Sequence, residues 1–391
     1  MANSFTLLAQ GFNQWLIKRA IPLSANNGIC RLNHASFEQF LNTGQVDSAT
    51  PIRVRVQARQ IYVFACAAAN QWFEEGQEIA VNMMTFTEQK AHHPEWPSGF
   101  SHIFDSNFNV IDNQFDLYNH AFFFLAYAGL YQLNKDPGYS TKAENLYQLL
   151  ETHFKSEFGG WLEGDYQAKC RRQNPHMHLF ESFMLWYQVS DNSIWLERAK
   201  AIFELFTAHF YDEKNGVLLE FFEDNWAPHH SKRGAVIEPG HMLEWVWLLD
   251  WYSELSGENV DRYLEPLFSN ALTLGMSSSG LLYKEISLYG EMVDAKKRCW
   301  AMTELVKACL VMVKRGNQAY LEMAEKGLGD LMFFYTSAKV DGLYVDEIDE
   351  YDQISIDKAP ASSLYHFVTL AEVLDEYLRT SNNFELRGNF K

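Results

Sequence analysis

At 391 residues the chain has room for two or three domains, but no Pro/Ser-rich linker, charge block or low-complexity stretch divides it, so one large domain over residues 1–391 is expected. A formal charge of −18, with no Lys/Arg cluster set against it, argues against nucleic-acid and membrane-surface partners. A hydrophobic share of 47 % with 15 % aromatics is ample for a core and leaves rings for a ligand pocket.

Apolar residues recur at three- and four-residue steps through 4–19, 51–72, 114–133, 139–154, 177–189, 193–210, 239–255, 260–276, 298–315, 319–334 and 361–378, which predicts eleven helices. A twelfth is placed near 36–42. Between helix pairs stand Gly28, Gly99, Gly160, Gly216, Gly280 and Gly342, each opening a short apolar or aromatic run, at steps of 56 to 71 residues. Asp105, Glu163, Glu220, Glu285 and Glu347 follow the last five. The glycines read as turn formers and the acids as caps or solvated ends. Six repeats of two helices each predict an all-α toroid, an (α/α)6 barrel with short β-hairpins at one end. Such a ring encloses one central cavity, where chemistry is to be sought.

Cys30, Cys66, Cys170, Cys299 and Cys309 are odd in number and lack C-x-x-C spacing, and so read as reduced thiols of a cytosolic protein. The N-terminal residues lack a basic segment followed by a continuous apolar one, and no eighteen apolar residues run together. Neither a signal peptide nor a membrane span is expected, and the chain is placed in the cytoplasm.

Four segments carry candidate chemistry. Arg59 lies in a helix otherwise apolar up to Ala69 and needs a partner or a ligand, because an unpaired buried guanidinium is costly. In Asn174-Pro-His176-Met-His178-Leu-Phe-Glu181, at a helix start, the two histidines point to different sides if both are helical, and could share a metal only on irregular backbone. His241 and Glu244 stand three apart, which would let the carboxylate orient the imidazole as a general acid or base. His366 follows a Pro/Ser-rich helix start at Lys358-Ala-Pro-Ala-Ser-Ser-Leu-Tyr365. Tyr118, Trp300 and Glu304 occupy matching points of other repeats.

With Gln57-Ala-Arg59, the Asn174–Glu181 motif, Glu238-Pro-Gly-His241-Met-Leu-Glu244-Trp245, Trp300 with Glu304, and Tyr365-His366, the chain resembles the N-acylglucosamine 2-epimerase superfamily over nearly its whole length. The last motif is most similar to the mannose isomerase branch. The resemblance implies the (α/α)6 barrel and an aldose–ketose isomerase interconverting D-mannose and D-fructose. His178, His241 and His366 would be the active-site histidines, assisted by Arg59 and Glu244. Trp300 and Tyr118 would lie near the sugar, with Asn174, His176, Glu181 and Glu304 as further binding residues; His176 stands where the family often has asparagine. His366 would take the C2 proton and His241 would serve as the second acid/base, through a cis-enediolate. A mannose/glucose 2-epimerase, a sulfoquinovose isomerase and, outside this chemistry, a glycoside hydrolase are the alternatives. The resemblance implies no metal or nucleotide, and no G-x-x-x-x-G-K-[ST] loop is present for ATP. The expected partner is a monosaccharide, for a monomer or homo-oligomer; Arg171 or Arg172 could favour a phosphorylated one.

Overall fold

The structure, a computed structural model, describes residues 4–388, with side chains up to residue 380. Helices follow one another in pairs. The first is broken: α1 (Ser4–Trp15) passes through a π-helical turn, Leu16–Ala20, into α2 (Ile21–Asn27). Then come α3 (Val54–Ala69) and α4 (Gly76–Lys90), α5 (Leu117–Asn134) and α6 (Pro137–Leu149), and α7 (Asn174–Ser190) and α8 (Ser193–Leu205). The chain continues with α9 (Pro239–Ser256) and α10 (Asp261–Gly275), α11 (Cys299–Lys314) and α12 (Tyr320–Tyr335), and closes with α13 (Leu364–Gly388).

Packing sorts them into two rings. Helices α3, α5, α7, α9, α11 and α13 touch in that order, and α13 returns to α3. The others lie outside, each against its sequence partner, with α1 against α12 and α13. Composition explains the sorting. In α11 every residue from Cys299 to Val313 is buried, and α3 is buried almost throughout from Val54 to Ala67, as suits helices enclosed on all sides. The outer α10 instead buries a single stripe, Tyr263, Leu264, Leu267, Phe268 and Ala271. This is the (α/α)6 barrel that the repeat predicts.

The twelfth helix is not where it was expected. Residues 39–41 form a strand, and the missing helix is α4. Its polar opening, Glu74-Glu75-Gly76-Gln77-Glu78, hides the pattern, yet Gly76, Ala80, Met83, Met84 and Thr87 are buried at helical spacing.

Short strands form a belt at the N-terminal ends of the inner helices. Ile52–Arg53, before α3, pairs with Ile103–Phe104, and Asp116, before α5, bridges to Gly164. Arg171–Arg172 pairs with Phe221–Phe222, Val236–Ile237 with Ile286 and Ser287, and Lys297–Arg298 with Glu347–Ile348. Lys358–Pro360 pairs with Gln39–Leu41 and closes the belt. Carboxylates reinforce it: Glu38 accepts from the backbone N–H and Nε of Arg53 at 2.9 and 2.6 Å, and Glu163 accepts from the same two groups of Arg172, both at 2.7 Å. No helix among the described residues is long and apolar enough to cross a membrane.

Four of the six repeat glycines, Gly160, Gly216, Gly280 and Gly342, adopt positive φ. At Gly342 φ is +85°, and a Cβ would stand 2.5 Å from the Arg19 carbonyl oxygen. Gly342→Ala is therefore expected to lose about 1–3 kcal/mol. Gly329→Ala, in α12 with open space around its Cα, should be neutral or slightly stabilising. Urea midpoints of the two variants check this contrast.

Candidate functional site

All six inner helices send polar side chains to the belted end of the ring. Two chemical reasons put them there. Helix N-termini leave backbone N–H groups unpaired and favour negative charge, and side chains in the first turns lean back toward that end.

From α3, Arg59 donates to Tyr118 Oη at 2.7 Å and to the Ser362 carbonyl at 3.3 Å, and its guanidinium lies 4.0 Å from the centre of the Phe122 ring. The partner required by the burial of Arg59 is thus found, although its Nε remains unpaired. Arg55, a turn earlier, rests over the Tyr118 ring at 5.2 Å. From α7, His178 Nδ1 meets Glu181 Oε2 at 3.1 Å, and Tyr365 from α13 donates to the other Glu181 oxygen. Asn174 Nδ2 lies 3.2 Å from His241 Nε2.

His241 and His366 flank one indole. Their ring centres lie 5.1 and 5.4 Å from that of Trp300, so the two imidazoles can reach one small molecule seated on it. Each is held at Nδ1 by a carboxylate, His366 by Glu304 at 3.0 Å and His241 by both oxygens of Glu220 at 3.1 Å. Gln173 braces Glu220, donating to it at 3.0 Å while accepting from Trp245 at 2.9 Å.

The surroundings drive the two histidines apart. Burial opposes charge on His241, but Glu220 and Glu238 outweigh it and raise its pKa well above the ordinary 6.5. For His366, burial acts together with the nearby Arg59 and Lys307 cations, and its pKa falls well below 6.5. One imidazole is therefore protonated and the other neutral across a common range around neutrality. With its Nδ1–H directed at Glu304, His366 presents a free Nε2 lone pair. His178 is also kept neutral, burial pulling it down to about 4 against the opposing Glu181.

Two expectations need correction. Glu244 does not orient His241: the imidazole leans back toward the preceding hairpins and meets Glu220, while both Glu244 oxygens are buried without a hydrogen-bond partner. Burial, then the Glu304 charge, raises the Glu244 pKa well above the usual carboxyl range. His176 turns away from the site. Both histidines of the H-x-H motif are on helical backbone, so His176 points outward, accepts from the Trp161 N–H at 3.1 Å and packs against Trp226. Burial lowers its pKa to about 3, and it serves packing.

Arg171 and Arg172 are also committed. Arg171 donates to Ser156 and to the carbonyls of Trp161 and Asp224, and Arg172 binds Glu163. The sequence reading missed Glu220, Glu238 and Lys307. In the sequence Glu220 has the same pattern as the repeated turn acids, of which Asp105 is one, accepting from the N–H groups of Asn107 and Asn109. Lys307 carried the same signal as Arg59, a cation within an apolar helical run.

Three trios, Glu220/Glu238/His241, His178/Glu181/Glu244 and Glu244/Glu304/His366, bring a ligand atom of each residue within 4.8 Å of the others. In each, a carboxylate already engages the imidazole Nδ1, a geometry that fixes tautomer and ring orientation.

Comparison with known proteins follows the same pattern. The family model for N-acylglucosamine 2-epimerase (GlcNAc 2-epimerase) matches residues 36–370. A mannose-6-phosphate isomerase of Rhizobium meliloti (strain 1021) is 28 % identical over 379 residues, covering 93 % of this chain and 96 % of the relative. A D-mannose isomerase of Marinomonas mediterranea is 26 % identical over 298 residues, covering 71 % of this chain and 74 % of the relative. A crystal structure of D-mannose isomerase superposes with a TM-score of 0.83 at 22 % identity, over 94 % of this chain and 98 % of the other, and so shares the fold.

Replacing Glu220 with Gln removes the nearest negative charge from His241. The His241 pKa should fall toward 6.5, with His366 little affected. NMR titration of the imidazole signals reads this directly, and an unmoved His241 would transfer its control to Glu238.

Proposed function

Because the chain belongs to the N-acylglucosamine 2-epimerase family, we propose that it is an aldose–ketose isomerase interconverting D-mannose and D-fructose. The observation that carries the reading is the placement of His241 and His366 against one indole, Trp300, each fixed at Nδ1 by its own carboxylate, in surroundings that push their pKa values in opposite directions. A pair of titratable groups pushed apart in this way supplies a base and an acid at one pH.

In the open-chain aldose the C2–H is acidified by the neighbouring C1 carbonyl. Neutral His366 Nε2 takes that proton, the electron pair forms C1=C2, and O1 acquires a proton, giving a cis-enediol(ate). Loss of the O2 proton and return of a proton to C1 yield the ketose, with no net gain or loss of atoms. His241, protonated and aligned by Glu220, is the acid that serves the oxygens, and Arg59 stabilises negative charge developing there. Neutral His178, fixed by Glu181, assists ring opening. Trp300 offers the sugar an apolar face, and Asn174 and Tyr118 offer hydrogen bonds.

Mannose is supported by the names of the two relatives, one acting on the free sugar and one on its 6-phosphate. The commitment of Arg171 and Arg172 elsewhere favours the free sugar. Histidines on two sides of a single platform would also suit 2-epimerisation, in which the proton returns to the opposite face of C2. The order of products separates the two.

D-Mannose incubated with the enzyme in D2O should give fructose before glucose, with deuterium entering at C1; glucose first would make the enzyme an epimerase. His366→Ala and His241→Ala should each lower kcat by about 10²–10⁴-fold with the helical circular dichroism unchanged. Full activity in both would overturn the mechanism. Mannose 6-phosphate run in parallel tests the preference for the free sugar.

A further inference from the structure

Lys307 lies on α11 one turn beyond Glu304 and is only 1 % exposed. An ammonium removed so completely from water must be compensated. Its Nζ stands 2.7 Å from Glu304 Oε2, 3.3 Å from Thr369 Oγ1 and 3.9 Å from the centre of the Trp247 ring. The other Glu304 oxygen is the one that engages His366. Glu244 reaches the same place from α9, with an oxygen within 4.8 Å of Glu304 and His366 but no hydrogen bond of its own. Two buried carboxylates thus share the neighbourhood of one ammonium, and Glu304 alone is in contact with it.

We propose that Lys307 is a positioning residue of the isomerase centre, holding Glu304 as the ionised carboxylate that orients His366 and leaving Glu244 to carry a proton. The inference rests on the reading of His366 as the base.

The charges facing His366 are Glu304 and Lys307 from α11, Glu244 from α9, Arg59 from α3, and His178 and Glu181 from α7, with Tyr365 beside it on α13. Of these, Lys307 is the cation that touches the carboxylate partner. Without it, the Glu304–His366 pair would bind a proton more tightly, whether on the imidazole or on the carboxylate. In either case the free Nε2 base paired with an ionised carboxylate disappears at a higher pH. Burial raises the pKa of both carboxyls, but at Glu304 the touching Lys307 opposes it directly, whereas at Glu244 the Glu304 charge adds to it, which agrees with the proton residing on Glu244.

The test is the pH profile of kcat/KM for the aldose turned over, measured on the full-length enzyme and on Lys307→Met, Lys307→Gln and Lys307→Arg. The two neutral variants should move the acid limb up by about one pH unit with KM little changed, and Lys307→Arg should restore it. A lowered melting temperature with an unmoved limb would make Lys307 merely structural and overturn the proposal. The infrared spectrum of the enzyme at neutral pH supplies a second reading that needs neither the Lys307 variants nor turnover. Burial also pushes the Glu238 pKa up, to about 7, so the reading is the difference between the unsubstituted enzyme and Glu244→Gln: a carboxylic-acid carbonyl band should stand in that difference, and no such band overturns the proposal. If no aldose is turned over, the functional reading fails, and the carboxyl band still decides the charge arrangement.

Discussion

Three imidazoles at the belted end of the ring are each gripped at Nδ1 by a carboxylate: His178 by Glu181, His241 by Glu220, His366 by Glu304. The grip sets ring orientation and tautomer, and it is common to all three. Their behaviour differs because of what lies beyond the carboxylate. Behind His241 stands a second acid, Glu238, at 3.6 Å, whereas behind His366 stand Lys307 and Arg59. One local device thereby yields two imidazoles with oppositely shifted pKa values against the same indole. The chemistry is written in the second layer of charges more than in the histidines themselves.

That layer depends on the belt. A carboxylate fixing an imidazole to within a few tenths of an ångström needs rigid attachment, and Glu220 gains it from a hairpin paired to the start of α7 and from Gln173. Glu163 and Glu38 use the same construction to clamp Arg172 and Arg53 at the starts of their helices. The repeat that builds the ring therefore also supplies, in one copy, a partner for an active imidazole. Structure and chemistry diverge at that one position of a shared pattern.

The ring itself was legible in the sequence, because spaced glycines and helical periodicity both report local geometry. Helix α4 escaped because its first turn is polar and its buried face begins with the small Gly76 and Ala80, the larger Met83, Met84 and Phe86 coming only later. Arg59, His241 and His366 stood out as polar residues in apolar surroundings. The partnership of Glu220 with His241 did not, since it joins two hairpin units and depends on the backward lean of a first-turn side chain. The same geometry explains why Glu244, close in sequence to His241, answers instead to Glu304 on the neighbouring inner helix. Spacing along a helix tells which residues share a face, and neighbouring helices decide what that face meets.

Pairing of Gln39–Leu41 with Lys358–Pro360 ties the first unit to the last. A chain emerging from the ribosome must therefore wait for Lys358–Pro360 before the circle can shut, and contacts spanning some three hundred residues are slow to form. Tyr365 and His366 follow that strand directly, so a nascent chain without it holds His178 and His241 but lacks His366 and its contact with Glu304. Closure of the ring and completion of the three-histidine cluster are thus a single event in assembly.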